Sequence, residues 1–102
     1  MIKLLAKKTA AYYDVTIFQT PNFRQDKGYK VVYRTSIFGQ GHEDCLEKTF
    51  KLFNVADLMP KDYRGRFLST GDILLIDQGI LGQYYYQLKP EGWKTINRIH
   101  IR

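Results

Sequence analysis

Apolar and polar positions alternate over Tyr12 to Thr20: Tyr13, Val15 and Ile17 are interleaved with Asp14 and Thr16, which predicts a half-buried strand. Pro21-Asn22 opens a polar loop that closes at the turn signal Lys27-Gly28. Tyr29 to Ser36 alternates again, with Tyr29, Val31 and Tyr33 assigned to the core and Lys30 and Arg34 to water. The two strands are expected to pair antiparallel. Gly39-Gln40-Gly41 breaks the pattern, and Glu43 to Phe53 then follows helical spacing. Leu46, Phe50 and Phe53 fall on one face, supported by Thr49 and Leu52. Glu43 and Asp44 suit the positive end of the helix dipole, Glu47 and Lys51 are spaced for an i,i+4 pair, and Asn54 is a candidate stop.

Val55 to Thr70 is mixed: one helical turn over Ala56–Met59 before Pro60, then an ordered loop around Asp62–Arg66. Ile73-Leu74-Leu75-Ile76 is apolar on both faces, as expected of a central strand covered on both sides. Gln78–Gly82 reads as a turn and Gln83–Leu88 as an alternating strand, which together predict a hairpin. Pro90-Glu91-Gly92 turns the chain into a short strand over Trp93–Ile96, and Ile99 and Ile101 predict an edge strand in the tail. The expected fold is α+β, a mostly antiparallel curved sheet of about five strands with one principal helix. At 102 residues the chain is read as a single domain, 1–102, with residues 1–11 as a basic N-terminal arm.

The longest apolar run is four residues, far short of the roughly 20 that span a membrane, and the start lacks the apolar stretch and cleavage site of a signal peptide. One cysteine rules out an internal disulfide framework and fits a reducing, cytoplasmic interior. Sixteen Lys/Arg against ten Asp/Glu give a net charge of +6, which favours acidic partners such as DNA, RNA or an acidic protein surface. Two basic groups are candidate phosphate or acidic-surface contacts: Lys3, Lys7 and Lys8, and Lys94, Arg98 and Arg102. The simpler reading of both is a solvated surface.

Candidate chemistry is sparse. His42 and Cys45 are three residues apart, but a nucleophilic dyad also needs an orienting third group, and Cys45 reads more simply as a semi-buried helix residue. His42, His100 and Cys45 lack the number and spacing of a zinc site. Asp57, Asp62, Asp72 and Asp77 do not converge; Asp72 reads as a turn-capping carboxylate and Asp62 as a partner of Arg64 or Arg66. Gly39-Gln40-Gly41 lacks the lysine of a P-loop. No enzyme activity and no cofactor are expected.

Tyr63-Arg64-Gly65-Arg66-Phe67 is the strongest candidate for partner binding, since planar arginines flanked by aromatics suit phosphate, carboxylate or a protein pocket. Its structural alternative buries Tyr63 and Phe67 and has the arginines bond loop carbonyls and Asp62. Tyr85 and Trp93 are added as exposed aromatic anchors, although most of the fifteen aromatic rings are expected in the core.

From Tyr29 onward the order of motifs resembles the YodL-like family of small bacterial domains. The likeness is carried by YKVVYRT, by FKLFNVADLMPKDYRGRFLSTGDILLID and by YYYQLKPEGWKTI, with TIFQT fitting the opening strand. It covers roughly Val15 to Ile96 and departs at Gly71, where many members carry serine, and in the shortened loop between the first two strands. The resemblance implies a bacterial domain often encoded on mobile elements, with no catalytic residue set to carry over. The function expected from it is a non-enzymatic binding domain that docks on a host protein or nucleoprotein complex, as a monomer or homodimer. An anti-CRISPR inhibitor of an effector nuclease and a direct nucleic-acid binder are the alternatives.

Overall fold

The structure, a computed structural model, describes residues 10–22 and 25–98. Five strands and one α-helix follow in the order β1 (Ala10–Gln19), β2 (Lys30–Gln40), α1 (His42–Leu52), β3 (Ile73–Asp77), β4 (Gln83–Lys89) and β5 (Gly92–Ile96). They form a single sheet of order β2-β1-β3-β4-β5 in which all neighbours are antiparallel, so the fold is α+β as the pattern predicts. Lys3, Lys7, Lys8 and Arg102, and the strand expected over Ile99–Ile101, lie outside the described residues.

Register assigns the faces. Ile17 lies opposite Leu74, which lies opposite Tyr86; Val15 lies opposite Ile76, which lies opposite Tyr84. These side chains point to the front, where Cys45 and Leu46 of α1 and Phe53 just after it pack to complete the main core. Thr16, Leu75, Tyr85 and Ile96 form a row on the back, and Phe18, Ile73, Gln87 and Lys94 form the next. Ile73 and Ile76 are both fully buried, so β3 is the central, two-sided strand that its sequence predicts.

Four expectations are corrected. Val31 is exposed, because Ile17 pairs with Tyr33 but Phe18 pairs with Val31. Val32 is therefore an extra residue, and this bulge flips the alternation of β2 at its start. On α1 the buried residues are Cys45, Leu46 and Thr49, while Phe50 is exposed. The i,i+4 ion pair on the helix is Asp44–Lys48 at 3.2 Å, in place of Glu47–Lys51. Gly39 and Gln40 also continue β2; the chain breaks only at Gly41, whose φ of 95° suits glycine. A side chain at Gly39 would meet Asp44 Oδ2 at 3.2 Å and the Cys45 backbone nitrogen at 3.3 Å, so glycine here lets the helix start close to the strand.

The loop before β3 is held from inside. Asp72 is 2% exposed, and its Oδ2 accepts from Gln19 Nε2 at 2.9 Å and from the Ser69 N–H at 3.0 Å. Its Oδ1 lies 3.6 Å from Arg66 Nη2, and Arg66 Nη1 donates to the Thr20 carbonyl at 2.7 Å. Gln19 closes the circuit by accepting the Arg66 N–H and donating to the Arg66 carbonyl, both at 3.0 Å. Tyr63 is buried and its hydroxyl donates to the same carbonyl at 2.6 Å. Tyr63 and Arg66, expected to face a partner, thus fasten the loop to the end of β1. Asp62 pairs with neither arginine; it accepts from the Tyr33 hydroxyl at 2.6 Å. Phe67 is exposed, against the alternative that placed it in the core.

Gly65 is the closest approach in this loop, since a Cβ there would lie 2.6 Å from Gln19 Oε1 and collide with the Tyr63 hydroxyl. Gly65→Ala is expected to destabilise the domain by about 1–3 kcal/mol in urea denaturation, the range for overpacking. Burial raises the Asp72 carboxyl above its ordinary value of 3.8, against the opposing pull of Gln19, Ser69 and Arg66. The folded state thus binds this proton more tightly than the unfolded chain, and stability falls as pH rises from 3.8 through the raised value. Wild type is expected to lose stability relative to Asp72→Asn across that window, as read from urea midpoints at successive pH values.

Candidate functional site

α1 packs on the front of the sheet beside the β4–β5 hairpin, whose Tyr86 and Trp93 are only partly buried against the core. Leu88 pairs with Trp93 across the hairpin and both point to this face, one row beyond Tyr86 and Thr95. Between hairpin and helix runs a groove of about 500 Å³ with Tyr86 and Trp93 on the sheet side and His42 and Leu46 on the helix side. It continues into a lobe of about 340 Å³ between Leu88, Trp93 and Phe50. The outward turn of Phe50 therefore builds the wall of a groove.

His42 fixes the width of the groove. Its Nδ1 lies 2.6 Å from the Tyr86 hydroxyl and its Nε2 lies 2.8 Å from Gln78 Oε1. An amide oxygen at Nε2 requires the ring proton there, so Tyr86 donates to Nδ1. Tyr13, Tyr84 and Tyr86 meet the ring edge to face at centroid distances of 5.6, 4.8 and 5.7 Å. The first residue of α1 is thereby tied to β1, β4 and the turn after β3. Both His42 nitrogens are spent on these bonds, and burial pushes the Cys45 thiol up to about 11, so the pair is built as packing.

The rim is acidic. Glu43 and Glu47 line the groove from the helix, one turn apart, and Glu91 faces them from the β4–β5 turn. All three are exposed, and the described ion pairs of the protein lie elsewhere, at Arg34–Asp14, Lys48–Asp44 and Arg66–Asp72. The spacing of Glu43 and Glu47 was visible in the sequence; the position of Glu91 depended on how the hairpin docks.

The expected site residues separate across the molecule. Trp93, half-buried, is the one that lines the groove. Tyr85 is half-buried on the back of the sheet, its ring 6.3 Å from that of Phe18. Lys94 shares that back face and Arg98 follows β5, both exposed. Arg64 is exposed and donates to the Lys61 carbonyl at 3.1 Å. Among the described residues no group of three or more His, Cys, Asp or Glu is placed to hold a metal ion. No helix among them is long and apolar enough to cross a membrane.

The comparisons with known proteins agree with the motif order. The YodL-like domain family matches residues 5–98. Uncharacterized protein YodL of Bacillus subtilis (strain 168) is 52% identical over 102 residues, covering 100% of this chain and 98% of that protein. No solved structure shows a significant match. With that match spanning all the strands and the helix described above, the chain belongs to the YodL-like domain family.

Proposed function

We propose that this protein is a non-enzymatic binding domain that docks a segment of a partner protein in the groove between α1 and the β4–β5 hairpin. The observation that carries the reading is the groove itself, where the half-buried Leu88 and Trp93 of the hairpin stand beside Leu46 and the exposed Phe50 of the helix. Apolar and aromatic side chains gathered in a concave strip at an element boundary are the usual anchors of a protein interface. The mobile-element host factors expected from the resemblance are candidate partners of this kind. A photo-crosslinking residue in place of Glu91 is expected to yield a discrete protein adduct in a Bacillus lysate, lost in a Trp93→Ser background. Adducts indifferent to Trp93→Ser, or none, would refute this docking mode.

A second reading is favoured by the opposite face, where the half-buried Tyr85 and the exposed Lys94 occupy adjacent rows of the sheet. A ring for stacking beside a cation for phosphate is the arrangement of a single-strand nucleic-acid surface. On this reading, fluorescence anisotropy with labelled single-stranded RNA shows affinity falling steeply with salt. Lys94→Ala and Arg98→Ala each reduce the slope of log affinity against log salt by about one. Absence of binding at physiological salt removes this reading.

A further inference from the structure

Resting on the docking reading above, we infer that the groove takes an extended Lys- or Arg-bearing segment of a partner protein, added as a sixth strand beside β5. Two independent features point to this occupant.

The first is charge. The protein carries sixteen Lys/Arg and a net charge of +6, yet the groove is rimmed by Glu43, Glu47 and Glu91 with no cation of the described chain paired to any of them. Glu43 and Glu47 are like charges one helical turn apart, an arrangement that weakens an isolated helix. Glu91 adds a third carboxylate from the other bank. Three exposed carboxylates on one groove attract a cation from outside, and Trp93 and Tyr86, which line the same groove, carry rings attractive to ammonium and guanidinium groups. With no cation among the described residues paired to these carboxylates, the groove of this basic protein is complementary to a basic ligand.

The second is the state of the two sheet edges. On β2 the outward Gln40 N–H donates to Asp44 Oδ2 at 2.9 Å, and the Phe38 carbonyl accepts from Lys48 Nζ at 3.2 Å. The Asp44–Lys48 pair thus occupies backbone groups at the C-terminal end of β2, which a strand added there would need. β5 is the other edge among the described strands, and Lys94 and Thr95 on it are exposed. An extended segment beside β5 places alternate side chains on the front, over Trp93 and toward the carboxylates. A second copy of β5 is a poor occupant, since antiparallel self-pairing about its central residue sets Lys94 against Lys94.

The test is an array of blocked random heptapeptides probed with the labelled full chain. Binding peptides are expected to be enriched in Lys or Arg flanking an apolar residue. Trp93 is the single tryptophan, so its emission reports engagement of the groove in titrations with the best binders. The triple variant Glu43→Gln, Glu47→Gln, Glu91→Gln, its fold checked by circular dichroism, is expected to bind roughly tenfold more weakly, about the combined effect of three exposed ion pairs. A replacement of Arg64 by Ala leaves binding unchanged. Binders that perturb Trp93 but show no basic enrichment, or that bind the triple variant equally, overturn the inference and leave the docking reading standing. No binder that perturbs Trp93 overturns both.

Discussion

A single helix cannot cover five strands, and this mismatch of widths shapes the molecule. Neighbouring strands lie about 4.8 Å apart, so the sheet is about 19 Å across before side chains are counted. A helix with its side chains is about 10 Å wide and one of eleven residues is about 16 Å long. α1 alone therefore covers only part of the front, and Tyr63 and Leu68 of the loop before β3 extend that cover. Val15, Ile17, Leu74 and Ile76 on β1 and β3 are wholly buried, whereas β4 and β5 keep half-buried aromatic and apolar side chains. The groove is the boundary between these two regimes.

The boundary is held by polar bonds at two separate places. His42 joins the start of the helix to Tyr86 and Gln78, and the Gln19–Asp72–Arg66 circuit joins the last turn of the long loop to the end of β1. Each is a mostly buried set of directional bonds, complete but for the buried Arg66 Nε, which has no partner among the described residues, so its geometry is specific where hydrophobic packing alone would tolerate sliding. Between them they set where the hairpin stands relative to the helix. The YodL-like block of the sequence, from Asp62 to Asp77, contains most of the second circuit. Its aromatic and arginine content is explained by this internal fastening, with Arg64 and Phe67 as the members that reach solvent.

Much of the fold was legible because its signals are local. The alternation in β1, the two-sided apolar run of β3 and the β4–β5 meander all depend on neighbours in the chain. The bulge at Val32 was not legible, since Val31 and Val32 are equally apolar and only the pairing with Phe18 chooses between them. The site was less legible than the fold. Trp93 was marked as an anchor, but Tyr63 and Arg66 were assigned outward because composition cannot tell an arginine that binds a partner from one that binds its own Thr20 carbonyl. Glu43 and Glu47 were read only for their effect on the helix; their meeting with Glu91 is a tertiary fact.

The Asp44–Lys48 clasp on β2 has a consequence for assembly. A sheet with two open edges can add neighbours on both sides, and head-to-tail addition of this kind has no natural end, which is how filaments grow. Here the helix's own Asp44–Lys48 pair holds the end of one edge, at Phe38 and Gln40. A strand laid along the whole of β2 would have to displace that pair, so repeated addition is opposed at this end of the sheet.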